Sequence, residues 1–158
     1  MEKYPINISA PNLVNVCVDE SLDGEIVGRL YHCYQKGPLT FFNLVQLLRT
    51  MEKFFDDIQF PQSSTRSRSF YASDTQNREK KQRVTDQNDI VSQKGKKGTF
   101  IITVKFRQNS TWQGELFWIE RGEKQKFSST LDLIKIIDGD LTLTEIETST
   151  MDDYVVGK

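Results

Sequence analysis

Val14-Asn15-Val16-Cys17-Val18 and Phe100-Ile101-Ile102-Thr103-Val104 are the two stretches whose reading decides the fold. Val14, Val16 and Val18 recur at every second position, as do Phe100, Ile102, Val104 and Phe106. A period of two is the mark of a strand with one face buried. The surroundings of the two stretches also correspond. Set at an offset of 86 residues (Val14 on Phe100), residues 14–52 align without a gap on residues 100–138. Val18 then falls on Val104, Gly28 on Gly114, Leu30 on Leu116, Tyr31 on Phe117 and Phe41 on Phe127. Leu47 falls on Leu133, Leu48 on Ile134 and Met51 on Ile137. A recurring order of strand, glycine, strand and helix signals predicts an internal repeat.

Each copy reads as strand, strand, helix. Leu22-Asp23-Gly24 and Gln108-Asn109-Ser110 carry turn residues, so each strand pair is expected as an antiparallel hairpin. In the first helix Leu44, Leu47, Leu48, Met51, Phe54, Phe55 and Ile58 step by three and four, with Arg49, Glu52, Lys53 and Asp56 on other faces. Asn43 with Gln46, and Ser129 with Asp132, form capping pairs at equivalent places. The first helix is expected to stop before Phe60-Pro61 and the second near Gly139. The expected fold is α+β: a duplicated ββα unit whose four strands make one antiparallel sheet with both helices on one face. The units span 12–60 and 99–142 of a single domain. A basic mobile linker is expected over 61–98 and an acidic tail over 143–158.

The linker expectation rests on composition. Residues 61–98 hold nine Lys or Arg against four Asp or Glu, with few aliphatic side chains. So long an insert without regular structure acts as a spacer or a partner-binding segment. Arg66, Arg68, Phe70, Tyr71, Lys80, Lys81 and Arg83 are its candidate contacts, since Arg and Lys neutralise phosphates and aromatics stack or fill pockets. In the repeat, Phe100, Ile102, Val104, Trp112, Leu116 and Trp118 are expected beneath the helices. Period two then sends Arg29, Tyr31, Lys105, Arg107, Glu115, Phe117, Ile119 and Arg121 to the opposite face. Two readings of that face stand side by side. Aromatics among basic groups on an open sheet bind single-stranded nucleic acid. Alternatively, Tyr31, Phe117 and Ile119 cover a second small core or the folded-back linker.

Signals for chemistry are sparse. The chain of 158 residues has a formal net charge of -1, one His and two Cys. That inventory argues against a zinc site and a disulfide framework. His32 aligns with the core-facing Trp118 and is expected to be structural. Cys33 follows His32 directly, and neighbours on a strand point to opposite faces, which disfavours a Cys–His pair. Asp19-Glu20, Asp56-Asp57 and Asp138-Gly139-Asp140 lack the spacing of a calcium loop. Gly95-Lys96-Lys97-Gly98 lacks the hydroxyl of a phosphate loop. The expectation is a non-enzyme with no cofactor and no metal, cytoplasmic, without a membrane partner, and acting on a protein or nucleoprotein. Direct binding of single-stranded nucleic acid is the alternative.

Three motifs carry a resemblance: Phe60-Pro61-Gln62-Ser63-Ser64-Thr65-Arg66-Ser67-Arg68-Ser69-Phe70, Gly28-Arg29-Leu30-Tyr31-His32, and Gln108-Asn109-Ser110-Thr111-Trp112-Gln113-Gly114. With them the chain resembles a group of small Gram-positive bacterial proteins often found with mobile elements. The resemblance implies an accessory or inhibitor protein, such as an anti-CRISPR-type factor. It brings no activity and no site residues.

Overall fold

A computed structural model of the chain describes residues 4–62, 82–108 and 111–156, with side chains described as far as residue 143. The fold is α+β, built on one antiparallel sheet. Its strands are β1 (Val14–Leu22), β2 (Glu25–Tyr31), β3 (Leu39–Phe41), β4 (Gly98–Gln108), β5 (Thr111–Trp118) and β6 (Glu123–Phe127). The helices are α1 (Leu44–Ile58), α2 (Gln87–Val91) and α3 (Thr130–Val156). Strand order across the sheet is β3-β2-β1-β4-β5-β6, with β1 and β4 central.

The sheet therefore has six strands where four were expected. Each hairpin continues into a third, short strand before its helix. β3 has only three residues, and β6 reads Glu-Lys-Gln-Lys-Phe, polar except for the buried Phe127 at its end. β3 alternates as Leu-Thr-Phe but is too short for a period of two to register, and β6 lacks the apolar alternation by which a half-buried strand is recognised.

Alternate faces of the sheet bury different partners. Val14, Val16, Val18, Phe100, Ile102, Val104, Leu116 and Trp118 form the main core with Leu47, Met51, Phe54 and Phe55 of α1 and Leu133, Ile137 and Leu141 of α3. Burial of each such large side chain stabilises by roughly 1.5–3 kcal/mol. On the other face Cys17, Tyr31, Ile101 and Phe117 pack with Ile6 and Leu13 of the N-terminal segment and with Ile90 and Val91 of α2. Two buried asparagines fasten this second layer. Asn15 donates to the carbonyls of Ile90 and Gln93 at 2.7 and 2.9 Å, holding the end of α2 to β1. Asn12 donates to the Val104 carbonyl at 2.6 Å.

Of the stretch 61–98 expected as a mobile linker, residues 63–81 lie outside the described residues, and from residue 84 onward the chain is tied into the fold. Val84 and Thr85 donate backbone N–H groups to the Cys33 carbonyl, and Asp86 caps α2. Ile90 and Val91 are the reason. Two adjacent aliphatics in a polar stretch are too few to show periodicity, yet both are buried against the sheet. The second helix also runs past its expected stop. Outside the helix's own backbone and the two chain neighbours, no described atom lies within 4 Å of a Cβ built at Gly139, and a glycine inside a helix costs only about 1 kcal/mol; α3 continues to Val156. That takes in much of the stretch expected as an acidic tail.

Local geometry recurs at the aligned positions. Gly28 pairs with Val18 on one side and Phe41 on the other, as Gly114 pairs with Val104 and Phe127. The register shifts between Val18 and Glu20 in β1 and between Val104 and Phe106 in β4. Asn43 accepts from the Gln46 N–H at 2.8 Å and Ser129 from the Asp132 N–H at 2.9 Å. In return Gln46 accepts from the Phe42 N–H and Asp132 from the Ser128 N–H.

Candidate functional site

Of the two readings of the sheet face opposite α1 and α3, the structure has the second core: the face is covered across most of its area, because Ile101, Phe117, Cys17 and Tyr31 require an apolar cover of their own. Phe117 is buried with the Tyr4 ring edge-on to it at 6.0 Å. Tyr31 is buried, and its hydroxyl accepts from Arg29 at 2.7 Å. Arg29 also grips Asp19 through Nε and Nη2, at 2.9 and 3.1 Å, and donates to the Lys94 carbonyl at 2.8 Å. The Lys96 N–H donates to the same Asp19 carboxylate at 3.2 Å, and the Lys97 N–H to the Val18 carbonyl at 2.8 Å. The segment 94–97 thus closes the corner of the sheet beside the β1 bulge.

Arg107 is displaced to the other side. Plain alternation puts it with Lys105, but the shift between Val104 and Phe106 turns it toward α1. There it is 5% exposed, donates to the Pro61 carbonyl and to Asp56 at 2.7 Å each, and lies over the Phe55 ring. Arg121 lies over the Trp118 ring at 5.0 Å. Arg83 donates to the Ser9 carbonyl at 3.1 Å. Arg66, Arg68, Phe70, Tyr71, Lys80 and Lys81 lie outside the described residues.

The groups with catalytic potential are held in packing. His32 is buried, stacked on Phe54 at 4.0 Å, and its Nδ1 accepts from the Tyr34 N–H. Burial pushes the Cys17 thiol up to about 12 and raises Cys33 as well, so both are protonated at neutral pH. Among the described residues no group of three His, Cys, Asp or Glu is placed to hold a metal ion. No helix among them is long and apolar enough to cross a membrane.

Among the described residues no segment covers the corner beside the β4 bulge, formed by β4, β5 and β6. Lys105 and Lys124 both reach the Glu115 carboxylate, at 3.1 and 3.8 Å. Glu115 is 12% exposed, so its charge is largely enclosed by the two lysines. Lys126 pairs with Glu115 across β5 and β6. Phe106 pairs with Gln113 and is 53% exposed. Lys105, Phe106, Gln113, Glu115 and Lys126 line a shallow cleft of about 430 Å³ that continues to Phe127, Ser128 and Asp132. Three lysines against the carboxylates of Glu115 and Asp132 leave the corner one positive charge in excess, with an exposed ring among them.

Lys105 alone of the sequence-selected residues belongs to this corner. Phe106, Lys124 and Lys126 were missed. The charge spacing of Lys124 and Lys126 is visible in the sequence, but only the presence of β6 turns it into one face. The chain matches no family model, no curated protein and no solved structure.

Proposed function

We propose that this is a non-enzymatic binding protein that takes an acidic macromolecular partner, a protein or nucleoprotein, on the corner formed by Lys105, Phe106, Lys124 and Lys126. The observation that carries the reading is the exposure of the Phe106 ring amid that positive charge. A large aromatic beside exposed cations is the usual composition of a binding anchor. The arrangement of the other candidates supports it: Arg29, Tyr31, Arg107 and Phe117 are engaged within the fold, and the Cys17 thiol is held far from thiolate character. The repeated registers around Gly28 and Gly114 support a second element of the reading, that the two halves are copies of one unit of three strands and a helix. In one copy the corner beside the bulge is closed by residues 94–97; in the other no described segment covers it.

Exposure of Phe106 also suits single-stranded nucleic acid, since any base has a face to stack on it. Fluorescence anisotropy separates the two. Labelled oligoglutamate and a labelled single-stranded oligonucleotide are titrated with the full chain at low and moderate salt. The proposal predicts saturable oligoglutamate binding that is lost in Lys105→Glu/Lys126→Glu. Oligonucleotide binding alone, falling steeply with salt, would move the function to nucleic acid. Binding of neither would overturn both readings.

A further inference from the structure

We infer that the outer edge of β6 is a strand-addition site for an extended acidic segment of a partner protein. The inference rests on the proposed corner and deepens it. β6 ends the sheet, and no described strand pairs with its outer side. An edge strand presents unpaired N–H and C=O groups, and such a row templates another strand. At the opposite end of the sheet β3 offers only three residues, against five in β6, or about 17 Å of backbone.

The edge is rigidly held. Phe127 is buried in the main core, and Gln125 donates to the Asp140 carboxylate of α3 at 3.1 Å. Those two side chains face the helix layer. Lys124 and Lys126, paired with Phe117 and Glu115, face the other way. An added strand therefore meets lysine on one face only, and its complement is a strand with Asp or Glu at alternate positions. A second copy of this chain is a poor occupant. Antiparallel self-pairing centred on Gln125 puts Lys124 opposite Lys126 of the other copy, a like-charge contact at close range. Lysines on an edge commonly serve only to prevent pairing. Here they stand beside the exposed Phe106 and its cleft, which a purely protective edge does not require.

The test uses the full chain and three synthetic peptides: one alternating Glu and Val, one with the same residues in blocks, and the alternating peptide carrying N-methyl groups on alternate backbone nitrogens. The inference predicts that blocking and N-methylation along the pairing edge each weaken binding by at least about tenfold, the scale of one or two lost hydrogen bonds. It also predicts slowed amide exchange within residues 123–127 on binding the parent peptide. Lys124→Gln/Lys126→Gln, which sets no new carboxylate beside Glu115 and whose melting temperature is measured alongside, should bind the parent peptide at least about tenfold more weakly. Equal binding of parent and N-methylated peptides would overturn strand addition while leaving the charged corner in place. No binding of any peptide would overturn both.

Discussion

Arg107 bonds Asp56 at 2.7 Å across the face of the sheet that simple alternation denies it. The bulge between Val104 and Phe106 makes this contact, and the same bulge leaves Phe106 exposed. One inserted residue thus joins α1 to β4 and creates the ring at the centre of the proposed site. Arg107→Ala removes the bonds to Pro61 and Asp56 and the contact over Phe55, and is expected to cost about 2 kcal/mol. Asp56 is half exposed, so Asp56→Asn is expected to cost under about 1 kcal/mol. Urea unfolding of both variants checks the asymmetry; equal costs would mean that the bond to Pro61 contributes nothing.

The glycines yield a second prediction of opposite signs. A methyl group at Gly28 would stand 2.0 Å from the Cys17 carbonyl oxygen, and one at Gly114 equally close to the Thr103 carbonyl oxygen. Neighbouring-strand backbone on one side and a buried ring, Phe41 or Phe127, on the other leave no cheap relaxation, so Gly28→Ala and Gly114→Ala are each expected to lose about 3 kcal/mol or more. Gly139 lies within α3, no described atom outside the local chain would touch a methyl group there, and Gly139→Ala is expected to gain roughly 0.5–1 kcal/mol. Thermal melts of the three variants read the result directly.

Acid titration separates two kinds of carboxylate. The Arg29 hydrogen bond holds Asp19 below the usual aspartate range, so its folded pKa lies below its unfolded one. Its contribution is present above the unfolded value and disappears as pH falls through the folded value. Asp19→Asn should therefore cost about 1 kcal/mol at pH 7, a modest figure for a partly exposed pair, and progressively less as pH falls below the ordinary aspartate range. Desolvation raises Glu120 despite its bonds to Thr99. Its charged form is penalised in the fold at neutral pH, and the penalty is relieved on acidification. Glu120→Gln should be more favourable, relative to wild type, at pH 7 than at pH 3. Chemical denaturation of the two variants at several pH values measures both slopes.

How far the sequence reveals this molecule depends on the element. β1, β4 and α1 were legible because apolar residues recur at every second, or every third and fourth, position. The pairing of Gly28 with Phe41 and of Gly114 with Phe127 joins residues that the 86-residue offset had already aligned. β6 was hidden because an edge strand covered on one side by α3 and wet on the other needs almost no apolar residues. Arg107 was misplaced because a bulge leaves no periodic trace in a single sequence. The cover over Phe117 and Tyr31 was foreseen only as one of two alternatives, since it comes from two short, distant segments held by Asn12 and Asn15. The candidate site was the least legible part: only Lys105 was selected, and its neighbours depend on β6 and the bulge together.

The central claim is that a partner is received at the β4–β5–β6 corner. The most direct test is amide chemical-shift mapping of the full chain titrated with the alternating Glu-Val peptide. The account predicts that the shifted amides fall on residues 105–106, 113–115 and 123–128, with the region around Arg83 and Asp86 unmoved. Shifts centred on residues 83–88 or on α1, or no shifts at all, would contradict it.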